Sequence, residues 1–140
     1  MSIIQLLIMD PAKRPEIGAI REAALAEDTP YLPHEADLSS HTGFLPVTVE
    51  EHPTGFEYYF SSIGEGELPA EATQHGSHQM MARTGGHMDE MLASLLFLRT
   101  AARLSGAAYA YPDEGIIVAP QEVDSFLSSQ IDQVKKFLNA

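Results

Sequence analysis

The run Ile3-Ile4-Gln5-Leu6-Leu7-Ile8-Met9 carries apolar side chains at both odd and even positions. Successive side chains of a strand point to opposite faces, so this run reads as a strand buried on both faces. It is too short for a membrane span, which needs about 18 apolar residues. It also lacks the basic start, longer apolar stretch and small-residue cleavage site of a signal peptide. The expectation is a cytoplasmic protein.

The rest of the chain alternates between the two periodicities. Asp10-Pro11 stops the first strand, and Pro15-Glu16 opens a helix through about residue 27, with Ile17, Ile20 and Ala24 on one face. Residues 28–43 hold Pro30 and Pro33 and show no period, so they read as a loop. Leu45, Val47 and Val49 then alternate with polar neighbours, as do Phe56, Tyr58 and Phe60, and the turn chemistry between them lies in residues 51–55. A polar loop over 62–74 leads to a strand at 78–83.

Gly85-Gly86 precedes the most apolar helix, over about 87–105, with Asp89 and Glu90 at its start, Arg103 near its end and Gly106 after it. Two short strands flank Pro112-Asp113-Glu114-Gly115, and Val123, Phe126, Leu127, Ile131, Val134, Phe137 and Leu138 stripe a final helix. The order β-α-β-β-β-α-β-β-α predicts an α+β fold. It has an antiparallel or mixed sheet with helices packed mainly on one face, in a single domain over 1–140.

Charge narrows the function classes. Eight basic residues against 20 acidic ones give a net charge of −12, which repels nucleic-acid phosphates and anionic lipid. No Lys or Arg occurs from residue 28 to 82, whereas nine carboxylates do: Asp28, Glu35, Asp37, Glu50, Glu51, Glu57, Glu65, Glu67 and Glu71. An uncancelled acidic stretch suits electrostatic steering of a cationic partner. Within it, Tyr59 shares a strand face with Glu57 and is a candidate interface anchor against Arg or Lys.

Catalytic signatures are weak. With no cysteine, thiolate metal sites and thiol nucleophiles are excluded. His75, His78 and His87 offer metal-ligating nitrogens, but an H-x-x-H pair in a strand puts its rings on opposite faces. Ser40-His41 and Ser77-His78 are only sequence neighbours, and no nucleophile elbow is present. Gly64-Glu65-Gly66-Glu67 lacks phosphate-loop spacing, and its glutamates would repel a phosphate.

The segment Gly43-Phe44-Leu45-Pro46-Val47-Thr48-Val49 with Gly55-Phe56-Glu57-Tyr58-Tyr59, and the later run Leu104-Ser105-Gly106-Ala107-Ala108-Tyr109 through Asp113-Glu114-Gly115 and Pro120-Gln121-Glu122, carry a resemblance. They resemble small bacterial proteins, some of which accompany secreted toxins as cognate immunity proteins. The resemblance implies a protein that binds a toxin domain and occludes its active site, the acidic surface suiting a basic toxin.

The combined expectation is a non-catalytic binding protein, without cofactor or metal, whose partner is a basic toxin or enzyme domain. The residues expected to meet that partner are Glu50, Glu51, Glu57, Tyr59, Glu65 and Glu67. Two alternatives stand beside it: a small enzyme or metal-binding protein using His75, His78 and His87, and a homodimer or other homo-oligomer with an apolar interface concealed on the helix over 87–105.

Overall fold

The computed structural model describes residues 2–139. Strands β1 (Ile3–Met9), β2 (Tyr31–Pro33), β3 (Gly43–Val49), β4 (His52–Ser62), β5 (His78–Thr84), β6 (Ala108–Tyr111) and β7 (Ile116–Val118) form one sheet. Their order is β2-β3-β4-β5-β1-β6-β7, and every pairing is antiparallel. Helices α1 (Ile17–Leu25), α2 (Ala70–Thr73), α3 (Met88–Ser105) and α4 (Pro120–Leu138) complete the α+β fold. No helix among the described residues is long and apolar enough to cross a membrane.

β1 lies inside the sheet between β5 and β6, and both of its faces are covered. Leu7 and Met9 enter the main core under the helices, while Leu6 and Ile8 enter a smaller cluster with Ala72, Ala108 and Ala110 on the opposite face. That second cover is made by the segment between β4 and β5, which folds back with Ile63, Leu68 and Ala72 inward. The segment comes very close to β1. A Cβ at Gly76 would stand 2.3 Å from the Met9 carbonyl carbon, so only glycine fits there.

The helical face holds α1, α3 and α4. Four consecutive residues of α3, Leu95 to Leu98, are buried, which requires cover on every side of the helix. The sheet, α1 and α4 supply it. The apolar girth of α3 from Leu92 to Leu98 thus has partners within the chain, while Leu104 near its end is exposed. Phe97 packs edge-on against Phe56 and Tyr58, at 5.1 and 6.1 Å between ring centres. Truncating it to alanine would cost about 3–5 kcal/mol.

Polar contacts fix the layers against each other. Gln5, the one polar residue in β1, is 2 % exposed. Its Oε1 accepts from the Tyr109 phenol at 2.7 Å, and its Nε2 donates to Ser94 Oγ at 3.3 Å, linking β1, β6 and α3. Beyond α1, Glu27 accepts from Arg99 and Arg103 of α3, at 3.3 and 2.7 Å. Arg103 also pairs with Asp124, and Arg99 donates to Ser128, both on α4.

Two expected loops contain structure. Residues 28–43 include β2, and residues 62–74 include α2. β2 is three residues long and ends in proline, too short to display a period. It exists because Tyr31 and Pro33 pair with Val49 and Val47, and because the buried Tyr31 phenol is hydrogen-bonded with the Leu96 carbonyl and the Thr100 hydroxyl.

Two outcomes follow from these contacts. Tyr109→Phe leaves the buried Gln5 carbonyl without its donor and should destabilise the protein by about 1–3 kcal/mol in urea unfolding. Burial holds the phenols of Tyr31, Tyr58 and Tyr109 above the ordinary value of 10.0. A raised folded-state value means this stability is complete below pH 10 and is lost as pH climbs toward the folded-state values. Tyrosinate absorbance at 295 nm should therefore lag a free-tyrosine titration and then rise together with loss of structure.

Candidate functional site

The β3–β4 hairpin places the first of the expected residues. Val49 pairs with His52, so Glu50 and Glu51 alone form the turn. Their φ angles are +48° and +71°, the left-handed pair of a two-residue type I′ turn, which Asn-Gly ordinarily supplies. The turn is therefore earlier than residues 51–55, where proline and glycine suggested it. His52 to Gly55 instead begin β4, where β5 does not yet pair, since that ladder starts at Glu57. Pro53 is tolerated because β4 has one neighbour there.

Two concavities lie beside this tip, and Glu50 borders both. One, of about 370 Å³, has Val49, Leu92 and Leu138 as apolar lining and His52 and Asp89 at its polar rim. His52 Nε2 stands 3.5 Å from Asp89 Oδ2, tying the hairpin to the first turn of α3. The other, of about 290 Å³, is lined by Leu25, Pro30, Leu32 and Thr48. Leu25 and Leu138 are 62 % and 43 % exposed, large values for leucine. The Glu50 N–H donates to the Pro30 carbonyl at 3.0 Å, which fixes the turn over the second concavity.

The remaining expected residues lie elsewhere. Glu57 and Tyr59 point outward from the middle of β4, as their alternation predicts, and the Tyr59 phenol donates to Glu57 at 2.8 Å. That bond holds the phenol above its ordinary value. Arg83 of β5 stands opposite, 4.0 Å from the Glu57 carboxylate. Glu65 and Glu67 sit past the far end of β4, where Glu67 accepts from the Gly64 N–H and from the Gln79 amide. β4 has 11 residues. At about 3.3 Å per residue it separates the hairpin tip from Glu65 and Glu67 by roughly 35 Å. The six residues form three groups along one strand rather than one patch.

Folding also redistributes the charge. Cations from outside the 28–82 stretch reach into it: Arg83 beside Glu57, Arg21 on the Pro33 carbonyl and Lys135 on Thr29. Glu50, Glu51, Glu65, Glu67 and Glu71 have no ion-pair partner among the described residues. Asp28, Glu35 and Asp37, on the segment around β2, have none either, so the unpaired charge of the stretch lies on that segment and at the two ends of β4.

The histidines do not converge. His78 begins β5 and stacks on Phe60 at 5.4 Å, whereas His87 lies past the opposite end of that strand. Among the described residues no three His, Asp or Glu side chains are grouped so as to hold a metal ion. Sequence reasoning missed Leu25 and the His52–Asp89 contact, and it put Phe137 and Leu138 in the stripe of α4, although the last turn of that helix extends past the core and leaves both exposed. An apolar residue at a helix end looks like one more residue of the core stripe, and a contact between distant elements leaves no local signal.

Compared with protein-family models, with curated proteins and with solved structures, the chain gives no match. The hairpin tip makes a specific prediction of its own. A non-glycine residue at a left-handed position costs about 1–2 kcal/mol. The Glu50→Asn, Glu51→Gly double variant should therefore raise the urea midpoint, with a stability gain of about 1–2 kcal/mol. A loss of stability would mean that the turn is not strained.

Proposed function

We propose that this protein is a non-catalytic binding protein whose hairpin tip engages a basic face of a cognate protein partner. In the form implied by the resemblance to immunity proteins, it acts in the cytoplasm and occludes the active site of a toxin domain. The carrying observation is the tip itself: two adjacent glutamates without cationic partners among the described residues, held at left-handed positions between two apolar-lined concavities.

Each part of that arrangement has a physical use in recognition. Strained backbone conformations persist where the surrounding structure enforces them, and they concentrate at functional sites. Exposed leucines beside concave apolar lining supply anchoring area, whereas carboxylates at the rim supply orientation and a faster encounter with a cationic surface. A negative end on a protein of net charge −12 also disfavours wrong partners of like sign. Glu57 and Tyr59 satisfy each other and Arg83 stands nearby, so they fit a supporting role better than a central one.

The test starts from a partner recovered on the immobilised protein and identified. Its association rate should fall by about tenfold in the Glu50→Gln, Glu51→Gln variant, and by a similar factor between low and high salt. Circular dichroism should be unchanged. If neither the charge removal nor salt slows association, the tip does not steer the partner and the proposal fails.

A further inference from the structure

The sheet has two edge strands, and they are finished differently. At β2, Pro33 has no N–H to offer, Pro30 precedes the strand, and Arg21 donates to the Pro33 carbonyl. An edge closed in this way resists pairing with another chain. β7, Ile-Ile-Val, contains no proline and no charged residue. Among the described residues no side chain or loop hydrogen-bonds to its outer backbone groups.

A pocket of about 340 Å³ adjoins this open edge, on the sheet face opposite the three long helices. Leu68, Ala72, Ala110 and Ile117 give it apolar lining, and the stem of Glu67 and the side chain of Glu71 complete its wall. The Glu67 carboxylate itself is turned toward β5, where it accepts from the Gln79 amide at 3.2 Å and the Gly64 N–H at 2.9 Å, so Glu71 is the acid left to face the pocket. The turn Pro112–Glu114, which leads into β7, adds Asp113 and Glu114 close by. None of these four acids has an ion-pair partner among the described residues.

We infer that the β7 edge and this pocket form a docking site for an extended, cationic segment of a protein partner, added to the sheet as an eighth strand with a Lys or Arg side chain in the pocket. Strand addition uses the open backbone groups for affinity and alternate side chains for specificity. Ile117 pairs with Ala110, and both line the pocket. A residue opposite Ile117 on an added strand therefore sends its side chain to the pocket face. A long aliphatic stem matches the apolar lining, and Glu71 in the pocket wall and Asp113 and Glu114 in the adjoining turn offer carboxylates to its charged head. A second copy of this chain is a poor occupant, because it would bring the same carboxylates against each other. The site lies at the opposite edge of the sheet from β2 and β3 and does not depend on the hairpin-tip reading.

The probe is a blocked ten-residue peptide alternating Lys and Val, compared with a Glu-for-Lys counterpart and with a form carrying proline at two central Val positions. Binding is measured at near-physiological salt, with amide hydrogen exchange of the full chain to locate it. The Lys–Val peptide should bind and slow exchange at residues 116–118, and the other two should not. Glu71→Gln, which removes no side-chain hydrogen bond, should weaken binding about threefold, and the double variant with Asp113→Asn about tenfold. Glu50→Gln with Glu51→Gln should leave it unchanged, which separates this site from the tip. The inference is overturned by absence of binding at millimolar peptide, by equal binding of the proline form, by protection confined to other strands, or by indifference to Glu71→Gln and the double variant.

Discussion

The two-sided burial of β1 is the constraint from which the other layers follow. A strand with Leu6 and Ile8 on one face and Leu7 and Met9 on the other gains its burial energy only if both faces are covered. Three helices cover one face fully. The other receives only the folded-back segment between β4 and β5, with its four-residue helix α2, brought over β1 by the absence of a side chain at Gly76. Because that second cover is short, it stops before the β7 edge. The pocket beside Ile117 is what an incomplete layer leaves behind.

Within this frame, polar contacts decide orientation more than stability. Gln5 sits among apolar neighbours, yet each of its amide ends has a partner, so its burial is compensated and its place in the layer is specific. The half-buried cluster of Glu27, Arg99, Arg103 and Asp124 spans the end of α1, the C-terminal part of α3 and α4. Such ion pairs add little net energy over an apolar packing of the same shape. Mispairing them would strand a charge, so they set how the helices sit.

The same folding changes the meaning of the acidic stretch. In sequence it is one uninterrupted field. In space, Arg83, Arg21 and Lys135 enter it from other elements, and what remains is divided among the segment around β2, the hairpin tip and the segment carrying Glu65, Glu67 and Glu71. Each end of β4 joins its charge to apolar lining, which is the combination that recognition of a cationic protein surface requires.

Sequence by itself determined the element types wherever a period ran long enough to be seen: β1, the alternating strands around Val47 and Tyr58, α3 and the striped α4. It also determined the α+β class, the sign of the charge and the outward placement of Tyr59 with Glu57. Only tertiary structure decided β2, α2 and the turn at Glu50 and Glu51. The first two are three and four residues long, and the third uses residues that local preference would not choose for it. Tertiary structure also separated His78 from His87 and joined Leu25 and Leu138 to the acidic tip. Local propensity acts over one or two turns of chain, whereas a site is assembled by strand pairing and burial between residues far apart in sequence.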